Sequence, residues 1–293
     1  MSSNRGAARF LTVLSLLNET TPSLSRYCPD TPRLDAEVIL AHVLETDKTG
    51  LYLWPQRRVS QREYEQFQAL ICRRTQGEPV AYIVGRKEFW SLPFRVTEAV
   101  MIPRPQTETL AEAALEIFPP DASPRILEIG TGSGAISVAL ARELPRASLI
   151  ATDISFEALS VARQNAAANG VTSIQFLHGD LFAPLEEGHD FFDLILSNPP
   201  YIPSGDITAL PRGIRDYEPH IALDGGKDGL DHYRAIAETA HRYLKPGGGL
   251  LVEVGDTQSH AVCDILSHLP AFSAPATVKD LLSIERVVKA FRI

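Results

Sequence analysis

Apolar residues recur at helical spacing through the first 77 positions and switch to strand-like runs beyond residue 80. Phe10, Val13, Leu14 and Leu17 share one stripe of a helix expected over residues 6–18. Leu34, Val38 and Ala41, widened by Ile39, Leu40 and Leu44, line a second helix. Its start is marked by Thr31-Pro32, an N-cap with proline at the first helical position. Ser60 with Glu63 forms a capping box. Tyr64, Phe67, Leu70 and Ile71 follow at helical spacing, and Gly77 is the expected stop. These signals predict a small all-helical domain over residues 1–79. It shows no catalytic constellation, and its aromatics read as core.

The texture then changes. Ala81-Tyr82-Ile83-Val84 and Phe94-Arg95-Val96 are strand-like, separated by polar and turn residues. Ile102-Pro103-Arg104-Pro105 holds the chain extended. Residues 80–106 are therefore expected to form a β-hairpin linker, with Thr107 capping the helix that opens the second domain. Residues 107–293 alternate strand and helix, which predicts a parallel sheet in a Rossmann-like α/β domain. Strands are expected over residues 125–129, 148–152, 174–178, 191–196 and 250–254, and near Thr277 and Val287. Helices are expected over residues 135–142, 155–169, 230–244 and 258–269. A loop of about 25 residues after the fourth strand exceeds the usual connection and reads as functional or a lid.

The charge is uneven. The chain of 293 residues carries a net −8. Residues 1–110 hold 14 Lys and Arg against 12 Asp and Glu, whereas the remainder holds 14 against 24. An acidic second part argues against tight non-specific duplex binding, which needs basic surface. Cys28, Cys72 and Cys263 lie far apart, with neither a zinc spacing nor a disulfide framework, so a reducing, cytoplasmic setting is expected. Arg5, Arg9 and the apolar residues 10–17 loosely resemble a leader peptide. No small-residue cleavage site follows, and a first helix is the expected reading. No apolar run reaches the ~18 residues a membrane span needs.

Two stretches carry chemistry. Ser197-Asn198-Pro199-Pro200-Tyr201 follows a buried-strand run, so Asn198 falls where a strand ends. Open α/β sheets bind ligands outside those ends. Asn198 offers an acceptor oxygen, and the prolines present carbonyls without competing N–H donors. Such a rigid set of acceptors suits a planar NH2 group, with the Tyr201 ring available to cover one face. The bland alternative is a plain turn. The second stretch, Glu128-Ile129-Gly130-Thr131-Gly132-Ser133-Gly134, is a glycine-rich turn from strand to helix that permits close approach of backbone to a ligand. Gly130, Gly132 and Ala135 also satisfy the dinucleotide fingerprint. Asp153 ends the next strand, where it suits ribose hydroxyls with either cofactor. Asp180 suits the adenine amino group, or else caps a turn. A dehydrogenase has no use for Asn-Pro-Pro-Tyr after its fourth strand, and the resemblance of that motif to one in methyltransferases favours S-adenosylmethionine over NAD(P).

Asn-Pro-Pro-Tyr in this position resembles the motif of amino-group methyltransferases that use S-adenosylmethionine, acting on adenine N6 or a glutamine amide. Nearly the whole chain resembles the glutamine N5-methyltransferases that modify class I peptide-chain release factors. The likeness includes Pro32-Arg33-Leu34-Asp35-Ala36-Glu37, Glu78-Pro79-Val80-Ala81-Tyr82-Ile83 and Glu88-Phe89-Trp90-Ser91-Leu92-Pro93-Phe94. It continues through Ile102-Pro103-Arg104-Pro105, residues 197–201, Glu218-Pro219, Ala222-Leu223-Asp224-Gly225-Gly226, Asp228-Gly229-Leu230-Asp231 and Glu285-Arg286-Val287-Val288.

The resemblance implies a class I methyltransferase domain behind a helical domain that docks the release factor. It implies that Glu128, Ile129, Gly130, Thr131, Gly132, Asp153, Asp180, Leu181 and Asn198 line S-adenosylmethionine. It also implies that Asn198, Pro199, Pro200 and Tyr201 hold the glutamine of a Gly-Gly-Gln motif. Two positions depart from the family pattern: Gln106 replaces a usual Glu, and Leu181 replaces a frequent aromatic. The expected mechanism is positioning and charge stabilisation, with no metal and no general base before methyl transfer. Nucleic-acid adenine methylation is the rival activity, and a cofactor-binding scaffold without catalysis is the rival class.

Overall fold

The computed structural model describes residues 11–186 and 191–293. Phe10, at the head of the first expected stripe, and the arginines before it lie outside them. The chain divides into two compact units. One holds the described residues up to Gly85 with Arg212–Tyr217, and the other holds Arg86–Pro211 with Glu218–Ile293.

The first unit is helical: α1 (Val13–Leu24), α2 (Pro32–Val43), α3 (Lys48–Leu53), α4 (Gln61–Thr75) and α5 (Val80–Val84). Thr12 and Ser15 cap α1 reciprocally, so this helix starts seven residues later than its pattern predicts. Its buried stripe is Val13, Leu16, Leu17, Thr20 and Leu24, and Leu14 is exposed. The expected face of α2 packs in the core through Val38, Ile39, Leu40, Ala41 and Leu44, and departs from expectation at its start. Leu34 is exposed, while Ala36, Ile39 and Leu40 are buried beside the charged Asp35 and Glu37. Those carboxylates are buried because each has a guanidinium: Arg74 Nε reaches Asp35 Oδ2 at 2.7 Å and Arg33 Nε reaches Glu37 Oε1 at 2.6 Å. Thr31 precedes Pro32 as expected but makes no side-chain cap bond; its hydroxyl donates to Asp35 instead. The capping box of Ser60 and Glu63 forms as read.

Residues 81–84 are helical rather than extended. A short run of β-branched and aromatic residues fits a strand or a buried helical turn equally well. Here Pro79 precedes the turn, left-handed Gly85 ends it, and Ile83 and Val84 fill the helical core. Arg212–Tyr217 joins this unit through Tyr217, whose hydroxyl donates to the Gln76 carbonyl at 3.3 Å.

The second unit opens with a hairpin, β1 (Arg86–Phe89) and β2 (Leu92–Arg95). Its tight turn puts Trp90 and Ser91 at positive φ, 54° and 56°. That cost is offset by anchoring, since Trp90 donates its backbone N–H to Glu108 and its indole N–H to Glu143. Next come α6 (Glu108–Leu115), β3 (Arg125–Ile129), α7 (Ala135–Glu143), β4 (Ser148–Asp153), α8 (Phe156–Ala168), β5 (Ile174–His178) and β6 (Phe192–Ser197). After β6 the long loop contains three short helical turns, Ser204–Ala209, Arg212–Arg215 and His220–Ala222. Then follow α9 (Asp231–Ala240), β7 (Leu244–Glu253), α10 (Ser259–Ser267), β8 (Ala276–Lys279) and β9 (Glu285–Phe291).

The sheet order is β5-β4-β3-β6-β7-β9-β8. The first five strands run parallel, and β9 runs antiparallel between β7 and β8. Helices cover both faces, so adjacent residues of β3 and β6 enter opposite cores, Ile126 and Leu194 on one side and Leu127 and Ile195 on the other. Burying a Leu or Ile such as Leu127 or Ile195 contributes about 1.5–3 kcal/mol each. The chain winds outward from β3 to β5 and then returns to place β6 beside β3. That reversal opens a crevice at the carboxyl ends of β3 and β6, the usual ligand position in such sheets.

Candidate active site

A cavity occupies this crevice, and all its lining residues belong to the second unit. One wall is the turn between β3 and α7. Gly130 and Gly132 have φ of 71° and 54°, and a Cβ on either would meet no atom within 4 Å. Bare backbone therefore faces open cavity. The turn is pinned from behind, where Gly130 and Thr131 donate their N–H groups to the Thr152 carbonyl at 2.9 and 3.0 Å.

Glu128, only 1% exposed, holds the turn from below. Its Oε2 accepts the Thr131 hydroxyl at 2.8 Å, the Ser137 N–H at 3.1 Å and the Ser137 hydroxyl. Burial pushes its carboxyl up to about 7, and the Ser137 and Thr131 hydrogen bonds pull against that rise. Asp153, ending β4, accepts the N–H of Gly132 and of Ser155, both at 2.8 Å. Burial raises its pKa, and those N–H groups favour the charge. Each oxygen keeps lone pairs for a further donor such as a ribose hydroxyl.

Asp180 stands exposed at the rim, and its carbonyl closes a turn by accepting from Ala183. Leu181 takes φ of 46°, unusual for a residue with a branched side chain. Its carbonyl accepts the Thr152 hydroxyl at 3.1 Å, which ties this rim to β4.

The facing wall comes from the end of β6. The Ser197 hydroxyl donates to the Ile129 carbonyl at 2.8 Å, locking β6 to β3 at the crevice. Asn198, Pro199 and Pro200 then line the cavity. The Asn198 Nδ2 donates to the Thr107 hydroxyl at 3.2 Å. Thr107 thus serves the site rather than capping α6, with which it makes no side-chain bond. Pro199 is buried, and the loop is gripped from outside. A Cβ on Gly225 would lie 2.7 Å from Tyr201 Cα, and one on Gly229 would lie 2.3 Å from the Tyr201 oxygen. Gln258 Nε2 donates to that oxygen at 2.9 Å.

The structure brings eleven of the twelve expected residues onto the cavity wall: 128–132, Asp153, Asp180, Leu181 and 198–200. Tyr201 is the exception. Its ring packs against the core beneath α9 and α10, and burial pushes its hydroxyl up to about 12.

Sequence reasoning passed over three contributors. Thr107 and His232 line the cavity. Glu253, at the end of β7, is 3% exposed and lies against Asn198 and Thr107. The one forward signal was a charged residue ending an otherwise apolar strand. Arg104 pairs with buried Glu218, so the ionic link of this segment does not pass through Gln106, which is exposed.

A mostly parallel sheet with this order, a bare glycine turn, and an acid ending β4 facing Asn-Pro-Pro after β6 together define a class I S-adenosylmethionine-dependent methyltransferase. Residues 15–85 match the family described as PrmC N-terminal domain, and residues 106–210 match the methyltransferase small domain. A relative from Geobacter sulfurreducens, named release factor glutamine methyltransferase, is 42% identical over 94% of this chain and 95% of its own. A Moorella thermoacetica protein of the same name is 40% identical over 96% and 99%. The chain belongs to the release factor glutamine methyltransferase family.

Solved structures agree on the fold. A methyltransferase from Pyrococcus furiosus superposes at a TM-score of 0.52, with 22% identity over 77% of this chain and 96% of that one. The T. thermophilus 16S rRNA N2 G1207 methyltransferase, solved with AdoMet and guanosine, reaches 0.53, with 21% identity over 71% and 50%.

Proposed function

We propose that this chain methylates the side-chain amide nitrogen of the glutamine in the Gly-Gly-Gln motif of class I peptide-chain release factors. The observation that carries the proposal is the placement of Asn198, an amide acceptor at the end of β6, across one cavity from the bare glycine turn and Asp153. Bound S-adenosylmethionine supplies an electrophilic sulfonium methyl. Gly130 to Gly132 would let it approach backbone, Asp153 would take its ribose hydroxyls, and Asp180 and Leu181 would border its adenine.

An amide nitrogen is a poor nucleophile because its lone pair is delocalised into the carbonyl. The protein's task is therefore orientation and stabilisation of developing positive charge. Asn198 Oδ1 and the Pro199 carbonyl accept the two N–H bonds of the substrate amide. Tyr201 acts from behind: its partly buried ring and its carbonyl, held by Gln258, keep the prolines in place.

The first unit docks the release factor in this reading. Trp54, 69% exposed, stands with the exposed Tyr52 and Leu53 at the end of α3, a contact surface of the kind aromatic anchors provide. Among the described residues no helix is long and apolar enough to cross a membrane. All three cysteines are free, which suits the cytoplasm where termination takes place. The acidic second part disfavours nucleic acid as substrate.

Methyl transfer to purified release factor, with the modified residue located by mass spectrometry and with duplex DNA and RNA as parallel substrates, tests this. Methylation of nucleic acid alone would overturn it. Replacing Leu53 with Ser and Trp54 with Ala should raise KM for release factor and leave cofactor affinity unchanged.

A further inference from the structure

Glu253 ends β7 directly beside the Asn198 position, because Ser197 pairs with Val252 in the parallel register. Its side chain shares a sheet face with Leu251, which packs in the same core as α6 and α7. There it meets Thr107, at the start of α6, and the Asn198 amide. Its Oε2 is buried and has no hydrogen-bond partner among the described residues.

The charged groups around it are committed elsewhere. Arg286 on β9 binds Asp280 at 2.9 Å and also binds Asp256. Arg104 binds Glu218. Tyr233 on α9 donates its hydroxyl to the Glu253 backbone carbonyl at 2.8 Å rather than to the carboxyl. Tyr201 is held neutral by burial. A buried acid with one oxygen left unpartnered beside the cavity calls for a role.

We propose that Glu253 is a positioning residue that fixes which end of the Asn198 amide faces the cavity. The oxygen and nitrogen ends of an amide are nearly the same size, so packing alone cannot choose between them. The Thr107 hydroxyl cannot choose either, since it both donates and accepts. An ionised carboxylate only accepts. Glu253 draws the Thr107 hydroxyl hydrogen and the Asn198 NH2 inward, leaving Thr107 Oγ1 to accept from Nδ2. Oδ1 is then turned toward the cavity, where an acceptor is required. When Glu253 is protonated it becomes a donor itself, the Thr107 hydroxyl is free to reverse, and the preference is lost. The ionised form is the active one. Burial pushes this carboxyl up to about 7, opposed by Thr107, Arg286, Asn198 and Arg104, so activity rises with pH through that range.

The rate consequence rests on the glutamine methyltransferase reading, whereas the amide orientation does not. Two measurements separate them. In the first, the Asn198 side-chain NH2 resonances, identified by their loss in Asn198→Asp, are followed against pH in the full-length protein. They should titrate near pH 7 in the wild type. They should stay flat in Glu253→Gln, whose amide donates and accepts at every pH. In the second, single-turnover methyl transfer should fall roughly tenfold or more in Glu253→Gln, with cofactor affinity unchanged and the acidic limb of the pH profile removed.

Thr107→Val should flatten the profile in the same way, and Thr107→Ser should restore it. These variants keep the test open if Glu253→Gln fails to fold. A wild-type Asn198 signal that ignores pH overturns the inference even if glutamine is methylated. So does a Glu253→Gln enzyme within threefold of wild type that retains the acidic limb. Titration of the Asn198 signal with no methyl transfer to release factor would keep the inference and sink the proposed substrate.

Discussion

Arg104 and Glu218 form an ion pair across 114 positions of sequence, tying the Pro-Arg-Pro segment to the long loop after β6. Glu218 also accepts the Ile102 N–H at 3.3 Å. The carboxylate is buried and the guanidinium partly exposed. Burial raises the Glu218 pKa and Arg104 opposes that rise. Removing one partner of a buried pair strands the other charge. Arg104→Met should destabilise the protein by about 3–5 kcal/mol. Glu218→Gln, which strands only the more exposed guanidinium, should cost less. Urea unfolding of both variants gives the order, and equal costs would show that burial of Glu218 does not set the penalty.

Asp153 makes the cofactor prediction. Its two oxygens already organise Gly132 and Ser155, so Asp153→Ala loses both the ligand contact and part of the turn's support. Cofactor affinity should fall by roughly 1.5–3 kcal/mol, the value of a hydrogen bond to a charged group. Calorimetry with S-adenosylmethionine measures it, and an unchanged Kd would remove Asp153 from the site. NADH is the control ligand and should not bind.

The two buried acids at the site, Glu128 and Glu253, give a pH dependence of stability with an unusual sign. Both are raised from 4.5 to about 7 in the folded state, chiefly by burial. Over that interval the folded protein keeps protons that the unfolded chain has released. Stability from these groups is therefore complete below the unfolded value and declines as pH rises through the folded one. The loss is on the order of 3 kcal/mol per group at most. Glu253→Gln should flatten its share and be the more stable protein on the alkaline side. Denaturant midpoints for wild type and variant across this range check it, and a wild-type curve that rises with pH here would contradict the assignment.

What was legible in the sequence was what local pattern controls. The glycine turn after β3, Asp153 closing β4 and Asn198 closing β6 each follow an apolar run, so strand periodicity alone put them at one edge of the sheet. Partners chosen by tertiary packing were not legible. Glu253 meets Asn198 because β7 lies beside β6, and Thr107 meets both because α6 begins there. Gly225 and Gly229 are required by close approach of the Tyr201 backbone, which no window around them records. The start of the α2 face departs from its pattern for a related reason. Leu34 fits the apolar stripe, yet Asp35 and Glu37 take the buried side because Arg74 and Arg33 neutralise them.

Asn198 is the residue on which the chemistry turns. Asn198→Ala removes one acceptor from the substrate amide and leaves β6, both prolines and the glycine turn in place. The fold should survive, because Asn198 is half-buried at the cavity wall and its amide meets the polar groups of Thr107 and Glu253 rather than filling the core. A small loss of cofactor affinity is expected, since the same side chain borders the cofactor region. Loss of a preorganised polar contact to developing charge typically costs ~10²–10³ in kcat, about 2.7–4 kcal/mol. Asn198→Asp is the sharper probe. It keeps an acceptor of nearly the same size but places a second carboxyl beside Glu253, which raises the pKa of the pair. Its activity should therefore exceed that of Asn198→Ala and respond to pH differently from wild type. Single-turnover rates at saturating cofactor decide the point. An alanine variant within tenfold of wild type, or an aspartate variant no better than alanine across the pH range, would show that Asn198 does not act as the acceptor.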